Sequence, residues 1–172
     1  MNKVLIIDPE KCTSCRLCEL TCSARHAAAY RPSRSRIQVA IDVDQAFYFP
    51  RVCFQCNDAP CVDACPSEAL ARDPKTGVVV LSANRCDDCR ACEDACPYGV
   101  LRCLDGRAIK CELCGGDPEC VRFCAPGALR YEQADQWPTT TRQGYVDRLA
   151  ELGRARLPPS RSTTRRAKEV ES

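Results

Sequence analysis

The sequence predicts an α+β protein in which small two-stranded hairpins alternate with single turns of helix. Two observations predict it. Sixteen of the 17 cysteines fall into four ordered quartets, each closing on an x3 gap. Residues four apart lie one above the other on a helical face, so each such gap suits one helical turn. Between the quartets stand short runs with strand periodicity or turn-bounded hairpin signals.

Along the chain, Lys3 to Asp8 is the first candidate strand, leading into Cys12, Cys15, Cys18 and Cys22, spaced C-x2-C-x2-C-x3-C. Ile37, Val39, Ile41 and Val43 alternate with more polar residues, the pattern of a half-buried strand. The second quartet, Cys53, Cys56, Cys61 and Cys65, widens its middle gap to four and is followed by Pro66. Ala69 to Leu81 reads as a hairpin around Asp73-Pro74-Lys75-Thr76-Gly77. The third quartet, Cys86, Cys89, Cys92 and Cys96, returns to the tight spacing with Pro97 behind it. Val100 to Leu104 and Arg107 to Ile109 flank Asp105-Gly106, a strong hairpin signal. The fourth quartet, Cys111, Cys114, Cys120 and Cys124, has a middle gap of five, with Pro126 two residues on.

Composition says what fills the middle. Hydrophobic residues make up 45% of the 172, but cysteine is about a tenth of the chain and aromatics only 6%. Without cysteine roughly 35% remains, which is thin for a core of this size. The chain has 25 Lys and Arg against 23 Asp and Glu; eight and six of these follow residue 130, leaving the body balanced. The net +2 therefore resides in the tail. There Tyr145, Val146, Leu149 and Leu152 fall at helical spacing, so about 141–152 is a candidate amphipathic helix. The remainder is polar and rich in Pro and Ser. Trp137 reads as a packing anchor.

Several classes are excluded. No run approaches the roughly 18 apolar residues of a membrane span. The start, MNKVLIID, has neither a cleavage site nor a twin-arginine pair, so a cytoplasmic chain is expected. In a reducing compartment, dense cysteine points to metal rather than disulfides. The tail arginines lack interleaved aromatics, which argues against nucleic acid.

A [4Fe-4S] cube takes four thiolates, and C-x2-C-x2-C-x3-C-P supplies them in a specific way. Three cysteines share a loop that curls around one cube. The fourth, a helical turn away, serves a second cube, and the proline after it turns the chain out. Zinc also accepts four thiolates, but its ribbons separate the two pairs by a dozen or more residues. Here the middle gaps are two, four, two and five. All sixteen positions are cysteine, so four [4Fe-4S] clusters are expected.

On the phrases CTSCRLCELTC, CNDAPCVDACPSEAL, CDDCRACEDACPYGVL and IKCELCGGDPECVRFCAPGAL, the chain resembles the four-cluster, bacterial-ferredoxin-type electron-transfer subunits of oxidoreductase complexes. The resemblance covers about residues 3–132. It implies two pseudo-symmetric ferredoxin-like halves with crossed ligands. Cys12, Cys15 and Cys18 would join Cys124, and Cys111, Cys114 and Cys120 would join Cys22. Cys53, Cys56 and Cys61 would join Cys96, and Cys86, Cys89 and Cys92 would join Cys65. The inner half would span about 48–100 and the outer about 1–47 with 101–132, leaving 133–172 as a partner-docking tail. Ser23, where proline is usual, and the short gap in the fourth quartet depart from the pattern.

The resemblance also implies a non-catalytic role between a catalytic subunit and a second redox partner. The small size and CSARH after the first quartet most resemble subunits beside tungsten aldehyde oxidoreductases, or carbon monoxide dehydrogenases. Hydrogenase and molybdenum partners, a free polyferredoxin and self-association are the alternatives. His26 reads as a surface or supporting residue. Cys103, the seventeenth cysteine, is either a buried small residue or a replacement ligand. Asp87 and Asp88 either lower a neighbouring cluster's potential or are simply solvated.

Overall fold

Eight strands pair into four antiparallel ribbons of two among residues 3–43 and 47–133, which the computed structural model describes. β1 (Lys3–Ile7) pairs with β8 (Leu129–Gln133), register Lys3↔Gln133 to Ile7↔Leu129, closing the two ends of the body on each other. β2 (Gln38–Asp42) pairs with β3 (Phe47–Arg51). β4 (Leu70–Arg72) and β5 (Val79–Leu81) form the expected hairpin, as do β6 (Arg102–Leu104) and β7 (Arg107–Ile109). The architecture is a small mixed protein of short antiparallel sheets and few helices.

Local chemistry accounts for the turns. Asp73 Oδ1 accepts the N–H of Lys75 at 2.7 Å and that of Thr76 at 3.2 Å, closing the β4–β5 loop. Asp105 and Gly106 have φ of 54° and 78°, the paired positive angles of a type I′ hairpin turn. A side chain in place of Gly106 would be strained there even though nothing lies within 4 Å.

Three of the quartets end in a single helical turn: α2 (Pro60–Asp63), α3 (Ala91–Asp94) and α4 (Glu119–Arg122). Pro66, Pro97 and Pro126 follow and forbid extension. Ser23 allows it, so α1 runs for 11 residues, Leu17–Ala27. Its buried residues, Cys18, Glu19, Cys22 and Ser23, form one stripe at helical spacing.

The alternation over Ile37 to Val43 departs from expectation at its far end. Ile37 and Val39 are buried, but Ile41 is 48% and Val43 83% exposed, while Asp42 is buried. Among the described residues β2 pairs with β3 alone, and this ribbon outruns the core that covers its first half. β3 is not among the strands expected from the sequence, and its Pro50 lacks an N–H. An edge strand of a two-stranded ribbon tolerates that loss.

Buried residues gather in two clusters. Ile7, Ile37, Val39, Phe49, Val52 and Leu129 pack with Cys18, Cys22, Cys111 and Cys120 in one. Ala59, Leu70, Val79, Leu101 and Ala108 pack with Cys92 and Cys103 in the other. The hairpin of β6 and β7 thus packs with β4 and β5. Cysteine contributes to both clusters, consistent with the thin hydrocarbon content. Glu19 and Lys110 are buried charges at 1% and 4% exposure. Trp137 and the candidate helix at 141–152 lie outside the described residues. Among those described, no helix is long and apolar enough to cross a membrane.

Candidate metal centres

The four cysteine loops share an unusual backbone. The second residue after the first cysteine is left-handed in every quartet: Ser14, Gln55, Asp88 and Leu113 have φ between 54° and 58°. A non-glycine residue there costs roughly 1–3 kcal/mol, so four repetitions mark a required geometry. Arg16, Ala59 and Arg90, immediately before α1, α2 and α3, are left-handed as well. In the fourth loop Gly115 and Gly116 take up positive φ, at 72° and 103°. Alternating right- and left-handed residues turn successive N–H groups to one side and create an anion-binding concavity.

Backbone amides also reach the sulfurs directly. Cys22, Cys65, Cys86, Cys111 and Cys124 Sγ accept N–H bonds from Arg36, Ala69, Ala108, Leu113 and Leu129 at 3.2–3.4 Å. Such bonds favour the thiolate. At Cys65 burial opposes them, yet the amides of Leu70 and Ala69 and the Ser67 hydroxyl prevail and hold the thiol below its usual range.

The fold gathers the predicted cysteines across the sequence. Burial pushes Cys18 up to about 12, and the nearby charges of Glu19, Cys12, Cys124 and Cys15 add to it. Cys120 is raised by burial and then by Cys111, Cys22, Cys114 and Cys18. Burial takes Cys56 to about 11, with Cys53, Asp58 and Cys96 contributing. Burial likewise raises Cys92 to about 11, opposed by a hydrogen bond from Cys103 and reinforced by Cys65 and Cys86. Cys124 is thus beside Cys12 and Cys15, Cys22 beside Cys111 and Cys120, Cys96 beside Cys53 and Cys56, and Cys65 beside Cys86 and Cys92. Cys89 lies on the loop between the last two.

Among these groups is a partly open cavity lined by Cys53, Cys56, Cys61 and Cys96, with Tyr98 and Lys110 among its walls. Burial and crowding disfavour the bare thiolates of Cys56 and Cys61. Iron cations held by Cys53, Cys56, Cys61 and Cys96 would reverse that balance and favour the thiolates. Among the described residues no group of three His, Cys, Asp or Glu side chains closes on a single ion. A larger anionic cluster suits the four-thiol cavity, the amide concavities and the N–H···S bonds.

Loops that present thiols in fours and turn amides toward them define an iron–sulfur protein. The chain belongs to the family of 4Fe-4S dicluster domains, whose profile matches residues 44–134, more than half its length. A 4Fe-4S binding domain also matches residues 9–25. The chain is 46% identical over 122 residues to the aliphatic sulfonate oxidoreductase, polyferredoxin-like subunit, of Pyrococcus furiosus, covering 70% of each. It is 33% identical to the thiosulfate reductase electron transfer subunit PhsB of Salmonella typhi, covering 77% of each. Among solved structures it aligns with a chain of the active site complex BamBC of benzoyl coenzyme A reductase. That match has 27% identity and a TM-score of 0.47, covering 87% of this chain and 90% of the other.

Three supporting residues escape a cysteine-centred reading. Glu19 Oε1 accepts the Val39 N–H at 2.6 Å and Oε2 meets Arg16 at 2.8 Å, pinning α1 to β2. Gln55 spans two quartets: its Nε2 donates to Cys111 O at 2.8 Å, and its Oε1 accepts the Val79 N–H at 3.0 Å. Lys110 adds to this junction. Charged residues phased onto a core stripe, as Glu19 is with Cys18 and Cys22, were the available signal. His26 Nε2 sits 3.5 Å from Cys114 Sγ. Burial, then Arg36 and Arg25, lower the imidazole to about 4, so its 3.6 Å contact with Glu112 is not an ion pair at neutral pH. Asp87 Oδ1 accepts the Cys89 N–H at 3.4 Å.

Proposed function

We propose that this chain is a non-catalytic electron-transfer subunit holding four [4Fe-4S] clusters in a row, on the four crossed cysteine sets. In order along the row these are Cys12, Cys15, Cys18 and Cys124; Cys22, Cys111, Cys114 and Cys120; Cys53, Cys56, Cys61 and Cys96; and Cys65, Cys86, Cys89 and Cys92. When bound, each cluster takes up and returns an electron. One observation carries the reading. Of the seventeen cysteines, Cys15 and Cys89 are exposed, one on each outer set. Neighbouring sets meet through Cys18 with Cys120 and through Cys111 with Cys53. The inner-set cysteines are buried or half-buried, and the outer loops present the ends of the row to partners.

One end serves a catalytic oxidoreductase subunit and the other a second redox partner, in a cytoplasmic complex. The named roles of the sulfonate oxidoreductase and thiosulfate reductase relatives support a subunit. For the catalytic partner we favour a tungsten aldehyde oxidoreductase, with molybdenum enzymes next, on the resemblance of the first quartet. The body, 1–132, comprises two ferredoxin-like halves, and 133–172 docks the partner. Anaerobic purification of the tagged chain from its native host tests this. A stoichiometric tungsten- or molybdenum-bearing companion is expected; iron without a companion would mark a free carrier. Light scattering across concentrations reports any self-association through a rising mass.

Cys103 is buried, and its thiol donates to Cys92. Cys103→Ala is therefore expected to keep full iron while shifting one potential downward, since a lost hydrogen bond to a ligand sulfur leaves more charge on it. Loss of about four irons would make Cys103 a ligand instead.

A further inference from the structure

Lys110 is the buried cation that the cysteine pattern does not explain. It follows β7 and precedes Cys111, at 4% exposure. Its Nζ donates to Gln55 Oε1 at 3.1 Å, Val79 O at 2.9 Å and Cys111 O at 3.0 Å. Three acceptors require three N–H donors, and only the ammonium form has three. Among the described residues no carboxylate pairs with it. A buried, unpaired ammonium costs several kcal/mol unless an anion compensates it.

The compensating charge lies on both sides. Lys110 lines the cavity of Cys53, Cys56, Cys61 and Cys96 and is covalently next to Cys111. Its field favours the thiolates of both Cys61 and Cys111. Gln55 holds the ammonium in place from the second quartet while donating to the fourth. Among the described residues no other Lys or Arg is buried.

We propose that Lys110 is a fixed counter-charge shared by the two inner cysteine sets, making the clusters they hold easier to reduce than the same sites without that charge. The inference rests on the ligand sets proposed above. A positive charge held in a low-dielectric interior stabilises the added electron more than it stabilises the oxidised cluster.

The test is an EPR-monitored redox titration of the full chain, as wild type and as Lys110→Met, Lys110→Gln and Lys110→Arg, with iron determined in each sample. In both neutral variants, one or two of the four midpoints should fall by at least tenfold in the reduction equilibrium, about 59 mV for one electron. The other midpoints should hold, and Lys110→Arg should stay close to wild type. Loss of iron in both neutral variants but not in Lys110→Arg also supports the proposal, because charge is then what retains the anions. Unchanged potentials at full iron overturn it, as does an equal effect in all three variants, which would make the role spatial. Iron well below sixteen in the wild type would instead remove the ligand sets themselves.

Discussion

Cys61→Ser loses about one cluster's iron, roughly four of sixteen atoms per chain. Cys61 lies in the α2 turn and lines the cavity with Cys53, Cys56 and Cys96. Burial raises its thiol and Lys110 only partly opposes that, so the bare thiolate needs a bound cation to persist. A serine hydroxyl at the same point gives up its proton far less readily and binds iron poorly. The neighbouring quartets keep their own cysteines, so the loss should remain near one quarter. The check is iron and acid-labile sulfide per chain, with Cys103→Ala as the paired control. Full iron retention in Cys61→Ser would remove Cys61 from the ligand set. Loss of all sixteen would show that the centres assemble as one unit.

The second large effect falls on a residue with no redox role. Glu19→Ala should destabilise the folded protein by about 2–4 kcal/mol. The carboxylate is 1% exposed and accepts the Val39 N–H, which becomes a buried donor without an acceptor once the side chain is gone. Arg16 contributes little to the loss, because its side chain is 52% exposed and regains water. The pin between α1 and β2 also positions Cys18 and Cys22, which flank Glu19 on the same stripe. Cluster-bearing proteins unfold irreversibly, so the readout is the rate at which visible absorbance decays in denaturant. At least a tenfold faster decay is expected, with Glu19→Gln in between because its amide oxygen still accepts from Val39. An unchanged rate in Glu19→Ala would mean the contact carries no stability.

The quartets were legible because their spacing is itself the chemistry: a thiol every third residue, then one helical turn. The hairpins at Asp73–Gly77 and Asp105-Gly106 were legible because their turn residues have few alternatives. What brings Cys124 to Cys12 was not, since it depends on β1 meeting β8 across more than a hundred residues, and β8 has no local signature. The left-handed loop positions were hidden too. Ser14, Gln55 and Asp88 occupy them where glycine would have announced the geometry. The length of α1 followed from a visible residue, Ser23 in place of proline. Lys110 and Glu19 look like surface charges until the fold places them inside. The same phasing misled over β2, where Ile41 and Val43 continue an apolar pattern beyond the core.

The most direct measurement is the iron, sulfide and zinc content of the chain purified without oxygen, read with its low-temperature EPR spectrum after reduction. The account predicts about sixteen irons and sixteen sulfides, no stoichiometric zinc, and the broadened signal of several interacting reduced [4Fe-4S] centres. About eight irons, or zinc in their place, would contradict it.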